Sequence, residues 1–149
     1  MSLDENKAIV RKFVEVVFSR RNWDRLDDLV APDYVDPDYP QLQGREGLKQ
    51  MMNMAFKALP DWYETIEDII AEGDKVWILI TYTGTHTGEF MGLAPTGNKI
   101  KTMAVDIYRI VNGKLAEYWT VVDTVRLFKP QGVIEITEEG KKFFPEDAK

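Results

Sequence analysis

The sequence predicts an α+β domain in which three N-terminal helices pack on one face of a curved antiparallel sheet. Three observations predict it. Up to Leu59 the apolar residues recur at helical spacing. From Trp62 the period shifts to the two-residue alternation of strands, in segments rich in Val, Ile, Thr, Tyr and Trp. Turn signals punctuate this second half: Gly73-Asp74, the Gly/Pro stretch 88–97, and Asn112-Gly113, the favoured pair for a tight hairpin.

The first helix carries Ile9, Val10, Phe13, Val14, Val17 and Phe18 on one side and Lys7, Arg11, Lys12 and Glu15 on the other. Ser2 followed by Glu5 fits a capping box just ahead of it. Asn22 can cap a second, short helix that turns Trp23, Leu26, Leu29 and Val30 inward and ends at Pro32. Residues 32–43 hold Pro32, Pro37 and Pro40 and are expected to form a loop. A third helix follows Gly44, with Leu48, Met51, Met52, Ala55, Phe56 and Leu59 on its apolar side, and stops before Pro60. Strands are expected over 62–72, 74–85, 98–111 and 114–124, and residues 125–149 read as a tail broken at Pro130-Gln131-Gly132, its charged end fraying or contacting a neighbouring subunit.

Composition narrows the function classes. The chain has 149 residues, with 44% hydrophobic and 30% charged, an ordinary globular balance. Nineteen basic and 25 acidic side chains leave a net charge of −6 with no basic stripe, which argues against nucleic acid as a partner. There is no cysteine, so disulfides, thiolate zinc sites and a Cys nucleophile are excluded together. MSLDENKAIVRKF lacks the apolar core of a signal peptide, and no run reaches the ~18 apolar residues of a membrane span, so a soluble cytoplasmic protein without a membrane partner is expected. His86 has no His or Cys companion for a metal. Asp33, Asp36 and Asp38 lack a calcium-loop pattern, so no metal is expected.

Helices laid across a curved sheet leave a cavity between the layers, walled by alternate strand residues. In IKTMAVDIYRI, alternation puts Thr102, Ala104, Asp106 and Tyr108 on one side. In LAEYWTVVD, Tyr118, Thr120 and Val122 face one way, and Glu117, Trp119, Val121 and Asp123 the other. The Asn112-Gly113 hairpin brings Asp106 close to the Tyr118–Thr120 region. Asp is a poor strand residue, so Asp106 lies either on the solvent face or in a cavity with a purpose. In a partly apolar pocket its pKa would rise, making it a usable base near neutral pH. His86, the only histidine, is read chiefly as tying loop 87–97 down by imidazole hydrogen bonds, with Met91 and Leu93 over the pocket mouth.

The stretches GTHTGEFMGLAPTGNKI, DIYRIVNGKLAEYWTVVD and VFSRRNWDRLDDLVAPDYVDP resemble the SnoaL-like polyketide cyclases, or ester cyclases, of the NTF2-like superfamily. The likeness spans roughly residues 5–132 and makes 1–132 the domain and 133–149 a C-terminal extension. It implies a cone-shaped barrel with a deep pocket, usually oligomeric, needing neither metal nor organic cofactor. It also implies intramolecular aldol ring closure, in which a carboxylate removes an activated α-proton. Where these cyclases carry a basic His on the third strand, this chain has Asp106, and their E-H-W-D-like run reads Glu117-Tyr118-Trp119-Thr120. Tyr118 thus replaces a histidine and Thr120 the acid, and a threonine hydroxyl is no base near neutral pH. Asp123 matches an acidic position common in the family.

The expectation is a cofactor-free cyclase or isomerase acting on a small hydrophobic carbonyl compound. Asp106 is its base, Tyr118 and Tyr108 donate to the enolate oxygen, and Asp123 supports them. The expected substrate-binding set is Phe13, Val17, Tyr34, Met51, Met52, Phe56, Trp62, Tyr82, His86, Met91, Tyr108 and Thr120. Thr120 in the acid's place motivates the alternative of a non-catalytic protein that holds a hydrophobic ligand, and a third reading leaves the pocket vestigial. A homodimer or higher homo-oligomer is expected if the sheet exposes Trp77 or Trp119.

Overall fold

The computed structural model describes residues 1–144, and its first helix begins as the sequence predicts. In α1 (Leu3–Val14) the Ser2 Oγ accepts from the Glu5 N–H at 3.1 Å, while Glu5 Oε2 accepts from the Ser2 N–H at 2.6 Å. The helix continues into one π turn, Glu15–Ser19, whose extra residue lets the consecutive Val16, Val17 and Phe18 all reach the interior. Asn22 accepts from the Asp24 N–H and starts the 3₁₀ turn Trp23–Arg25, which runs into α2 (Leu26–Leu29).

The expected loop over 32–43 is corrected at its start, because Val30–Val35 form a strand, β1. It pairs in parallel with β5 (Lys114–Val122), with Val30 opposite Leu115 and Val35 opposite Glu117. The sheet is therefore mixed rather than wholly antiparallel. Pro32 is tolerated because β1 lies at the sheet edge, where a missing N–H costs no ladder bond on the open side. After α3 (Gly44–Ala58) come β2 (Tyr63–Glu72), β3 (Lys75–Thr85) and β4 (Lys99–Val111). The order across the curved, unclosed sheet is β1-β5-β4-β3-β2. Asn112 and Gly113 have φ of 50° and 77°, the left-handed pair that a two-residue hairpin demands.

The tail is also corrected. Strand β5 stops at Val122, and Thr124–Phe128 form a short helix, α4, folded against β4. Beyond it a single 3₁₀ turn spans Gly140–Lys142, and the last part of the charged end, 145–149, lies outside the described residues. No helix among the described residues is long and apolar enough to cross a membrane.

The core lies between α1 with its π turn and the inner face of the sheet. Val10, Phe13, Val14 and Val17 pack with Val76, Ile78, Ile80, Tyr108 and Leu115. Burying such side chains stabilises by about 1.5–3 kcal/mol each. On the other sheet face Ile70, Trp77 and Val121 stay exposed.

The loop after β3 is fastened to the end of α3. The N–H groups of Thr87 and Gly88 both donate to the Ala58 carbonyl at 3.0 Å. A Cβ on Gly88 would sit 2.0 Å from the Lys57 carbonyl oxygen, so the two backbones meet only because this residue lacks a side chain. Gly88→Ala is expected to destabilise by about 1–3 kcal/mol through this overlap, read from urea unfolding. A midpoint equal to wild type would refute the close approach.

Candidate active site

Alternation along β4 sends Thr102, Ala104, Asp106 and Tyr108 inward, all buried. Register then supplies their partners: Asp106 lies opposite Thr120 and Tyr108 opposite Tyr118. The Thr120 hydroxyl donates to Asp106 Oδ1 at 2.6 Å and the Tyr118 hydroxyl donates to the same oxygen at 3.1 Å. Oδ2 receives only a long contact from the Tyr108 hydroxyl, at 3.5 Å. One oxygen is held by two donors while the other keeps lone pairs free. Loss of hydration pushes the Asp106 pKa up to about 6, and the hydroxyls of Thr120, Tyr118 and Tyr108 restrain the rise.

A second carboxyl shares the space. Glu64, on β2, is buried, and its Oε1 accepts from the Trp62 indole N–H at 3.0 Å. Its Oε2 is buried without a partner. Burial first, and the Asp106 charge second, drive the Glu64 pKa well above the ordinary carboxylate range, which favours its protonated form. The phenols of Tyr34, Tyr108 and Tyr118 are likewise pushed up by burial and stay neutral donors.

These groups line a cavity of about 250 Å³. Phe13 and Phe18 from the first helix and its π turn, Tyr34 from β1, Met51 and Met52 from α3, and Leu127 and Phe128 from α4 enclose it. Trp62 stacks on Tyr82 at 4.9 Å between ring centres and makes a flat wall. Three acids, Asp36, Glu64 and Asp106, reach the lining, and neither lysine nor arginine does among the described residues. No three His, Asp or Glu side chains among the described residues converge as metal donors.

Of the residues expected here, Phe13, Tyr34, Met51, Met52, Trp62, Tyr82, His86, Asp106, Tyr108, Tyr118 and Thr120 share this cavity. Four do not. Val17 is fully buried in the core behind the cavity. Phe56 packs against Trp23 and Phe18, with the Arg21 guanidinium over its ring at 4.3 Å. Met91 takes a positive φ of 49° and is 64% exposed, so Leu93 and Phe90 form the mouth instead. Asp123 is corrected from a site acid to a helix cap: it accepts from the Arg126 N–H at 3.1 Å and pairs with Arg126 Nε at 3.3 Å. That ion pair holds its carboxylate at the α4 terminus, outside the cavity lining.

His86 ties its loop as expected. Its backbone N–H donates to the Asn98 carbonyl at 3.0 Å and its own carbonyl accepts from the Gly97 N–H at 2.8 Å. Its Nδ1 lies 3.2 Å from Thr96 Oγ1. Sequence reasoning missed Glu64, Asp36, Tyr39 and Gln131. Glu64 shares strand parity with Ile66 on β2, a signal that could have placed it inside. Gln131 had none, since its position depends on α4 folding back.

A family model described as SnoaL-like polyketide cyclase matches residues 8–130. The chain belongs to that family. Among SnoaL-like relatives, the aklanonic acid methyl ester cyclase AcmA of Streptomyces galilaeus is 27% identical over 119 residues, covering 76% of this chain and 81% of its own. The solved structure of AclR from Streptomyces galilaeus shares 31% identity at a TM-score of 0.76, covering 90% of this chain and 100% of that one. TsrD from Streptomyces laurentii, 23% identical at a TM-score of 0.81 over 90% of this chain and 99% of that one, shows the same SnoaL-like fold.

Proposed function

We propose that this chain catalyses intramolecular aldol ring closure of a neutral, mostly apolar polycarbonyl compound, with Asp106 as the base. The observation that carries the reading is the free Oδ2 of a buried carboxyl whose pKa sits near 6, facing an apolar cavity. Such a group is ionised at pH 7 yet basic enough to take an activated α-proton. Membership of the cyclase family and the methyl ester cyclase activity in the name of AcmA support the same class.

In this reading the α C–H bond breaks and an O–H bond forms on Asp106 Oδ2, while the electron pair moves to the carbonyl oxygen. The resulting enolate carbon attacks a second carbonyl of the same molecule and a C–C bond forms. The alkoxide then takes the proton back from Asp106, and the product is an isomer of the substrate. Glu64, whose Oε2 is unpartnered and whose burial favours the protonated form, donates a hydrogen bond to the enolate oxygen in this reading. Thr120 serves the acid rather than replacing it, since its hydroxyl fixes Oδ1 and leaves Oδ2 to react.

The test is exchange of α-protons of a neutral β-keto ester in D₂O, followed by NMR. The wild type is expected to accelerate exchange. Glu64→Leu should slow it roughly 10²-fold, whereas Glu64→Gln, whose amide still offers a donor, should keep most of the rate. No exchange from the wild type together with tight retention of the ester would support the ligand-holding alternative and remove the enzymatic reading.

A further inference from the structure

Away from Asp106, at the far end of β3, the cavity wall contains a second polar group that the proposed reaction does not use. Asp106 pairs with Ile78, whereas His86 follows Thr85, the last rung of that ladder. His86 and Gln131 are 2% and 7% exposed, both line the cavity, and His86 Nε2 and Gln131 Nε2 are buried with no partner. Thr96 joins them: its Oγ1 donates to Gln131 Oε1 at 2.8 Å and lies 3.2 Å from His86 Nδ1.

A threonine hydroxyl has one proton. Because that proton goes to Gln131, Thr96 accepts from His86, and a neutral ring then carries its hydrogen on Nδ1 and a bare lone pair on Nε2. Gln131 presents free N–H donors from Nε2. With the relay reversed, the Gln131 amide donates to Thr96 and Thr96 donates to Nδ1, so His86 Nε2 becomes the donor and the Gln131 oxygen the acceptor. Either direction offers one donor and one acceptor. Their complement is a hydroxyl group, which is both.

We infer that His86 and Gln131 form a hydroxyl-recognition subsite, coupled through Thr96, that binds an aromatic or enolic hydroxyl of the ligand at the end opposite Asp106. The inference rests on the reading of the cavity as a ligand site. Leaving two buried polar atoms unpaired is costly, so a ligand lacking the hydroxyl forfeits their hydrogen bonds.

The experiment is calorimetric titration at pH 8 with 2-naphthol, 2-methoxynaphthalene and naphthalene. The wild type should bind 2-naphthol about 10- to 100-fold more tightly than naphthalene, with the ether, which accepts but cannot donate, in between. Gln131→Leu and, independently, Thr96→Val should reduce that preference to below about threefold while naphthalene binding persists, showing the cavity intact. Asp106→Asn should leave the preference unchanged. Equal wild-type affinity for 2-naphthol and naphthalene would overturn the subsite alone. So would a preference that survives both variants or disappears in Asp106→Asn. Failure of all three probes to bind would overturn both the subsite and the ligand-site reading beneath it.

Discussion

Asp106→Asn is expected to lower α-proton exchange and turnover by roughly 10²- to 10⁴-fold, the usual worth of a positioned general base. The substitution preserves volume, and the amide oxygen can still accept from Thr120 and Tyr118, so the loss would report proton transfer rather than collapse. The pH profile separates the two further. Wild-type kcat/KM should rise through about 6 as the carboxylate forms, and then level. The variant should show no such limb. Removing the Thr120 hydroxyl, which lowers the pKa, should move the limb to higher pH. A variant that keeps the wild-type rate would remove Asp106 from the chemistry.

The same carboxyl is expected to set a pH dependence of stability. Its pKa rises from an ordinary 3.8 to about 6 in the folded chain, driven by burial. Below 3.8 both states hold the proton, and the neutral acid fits the cavity without penalty. Between the two values the unfolded chain releases the proton and the folded chain keeps it, so stability falls as pH rises, and the loss is complete above about 6. The unfolding free energy of the wild type, relative to Asp106→Asn, should drop on the order of 2 kcal/mol between pH 4 and pH 8. Paired denaturant titrations at the two pH values measure it, and titrating groups that do not feel the Asp106 charge cancel in the comparison, whereas Glu64 shifts with it. A difference that stays constant with pH would mean that the carboxyl is not desolvated.

Much of this architecture was legible in the residues. Period-two alternation put Thr102, Asp106 and Tyr108 on one side of the strand, and the Asn112-Gly113 turn brought Asp106 close to the Tyr118–Thr120 region; the structure makes that side the inner face and sets Asp106 across from Thr120. What escaped depends on contacts distant in sequence. Strand β1 is a proline-containing edge that becomes a strand only because β5 lies beside it, more than eighty residues later. Helix α4 is five residues long, too short for periodicity to register, so nothing in the spacing marks Asp123 as a cap, and its expected site role rests on the family resemblance alone. Once α4 folds back, Gln131 reaches the cavity from a segment that composition marks as tail. Met91 failed for a local reason: its left-handed backbone turns the side chain outward.

The acidic lining, to which no lysine or arginine among the described residues contributes, has an implication for traffic through the cavity. A guest bearing an unmasked carboxylate would shed its hydration on entry, meet the anion of Asp106, and find no lysine or arginine among the described lining residues to compensate. An ester of the same molecule carries no such penalty. On the proposed reading the cavity would favour neutral guests over anionic ones, so an acid destined for ring closure would have to arrive with its carboxyl masked.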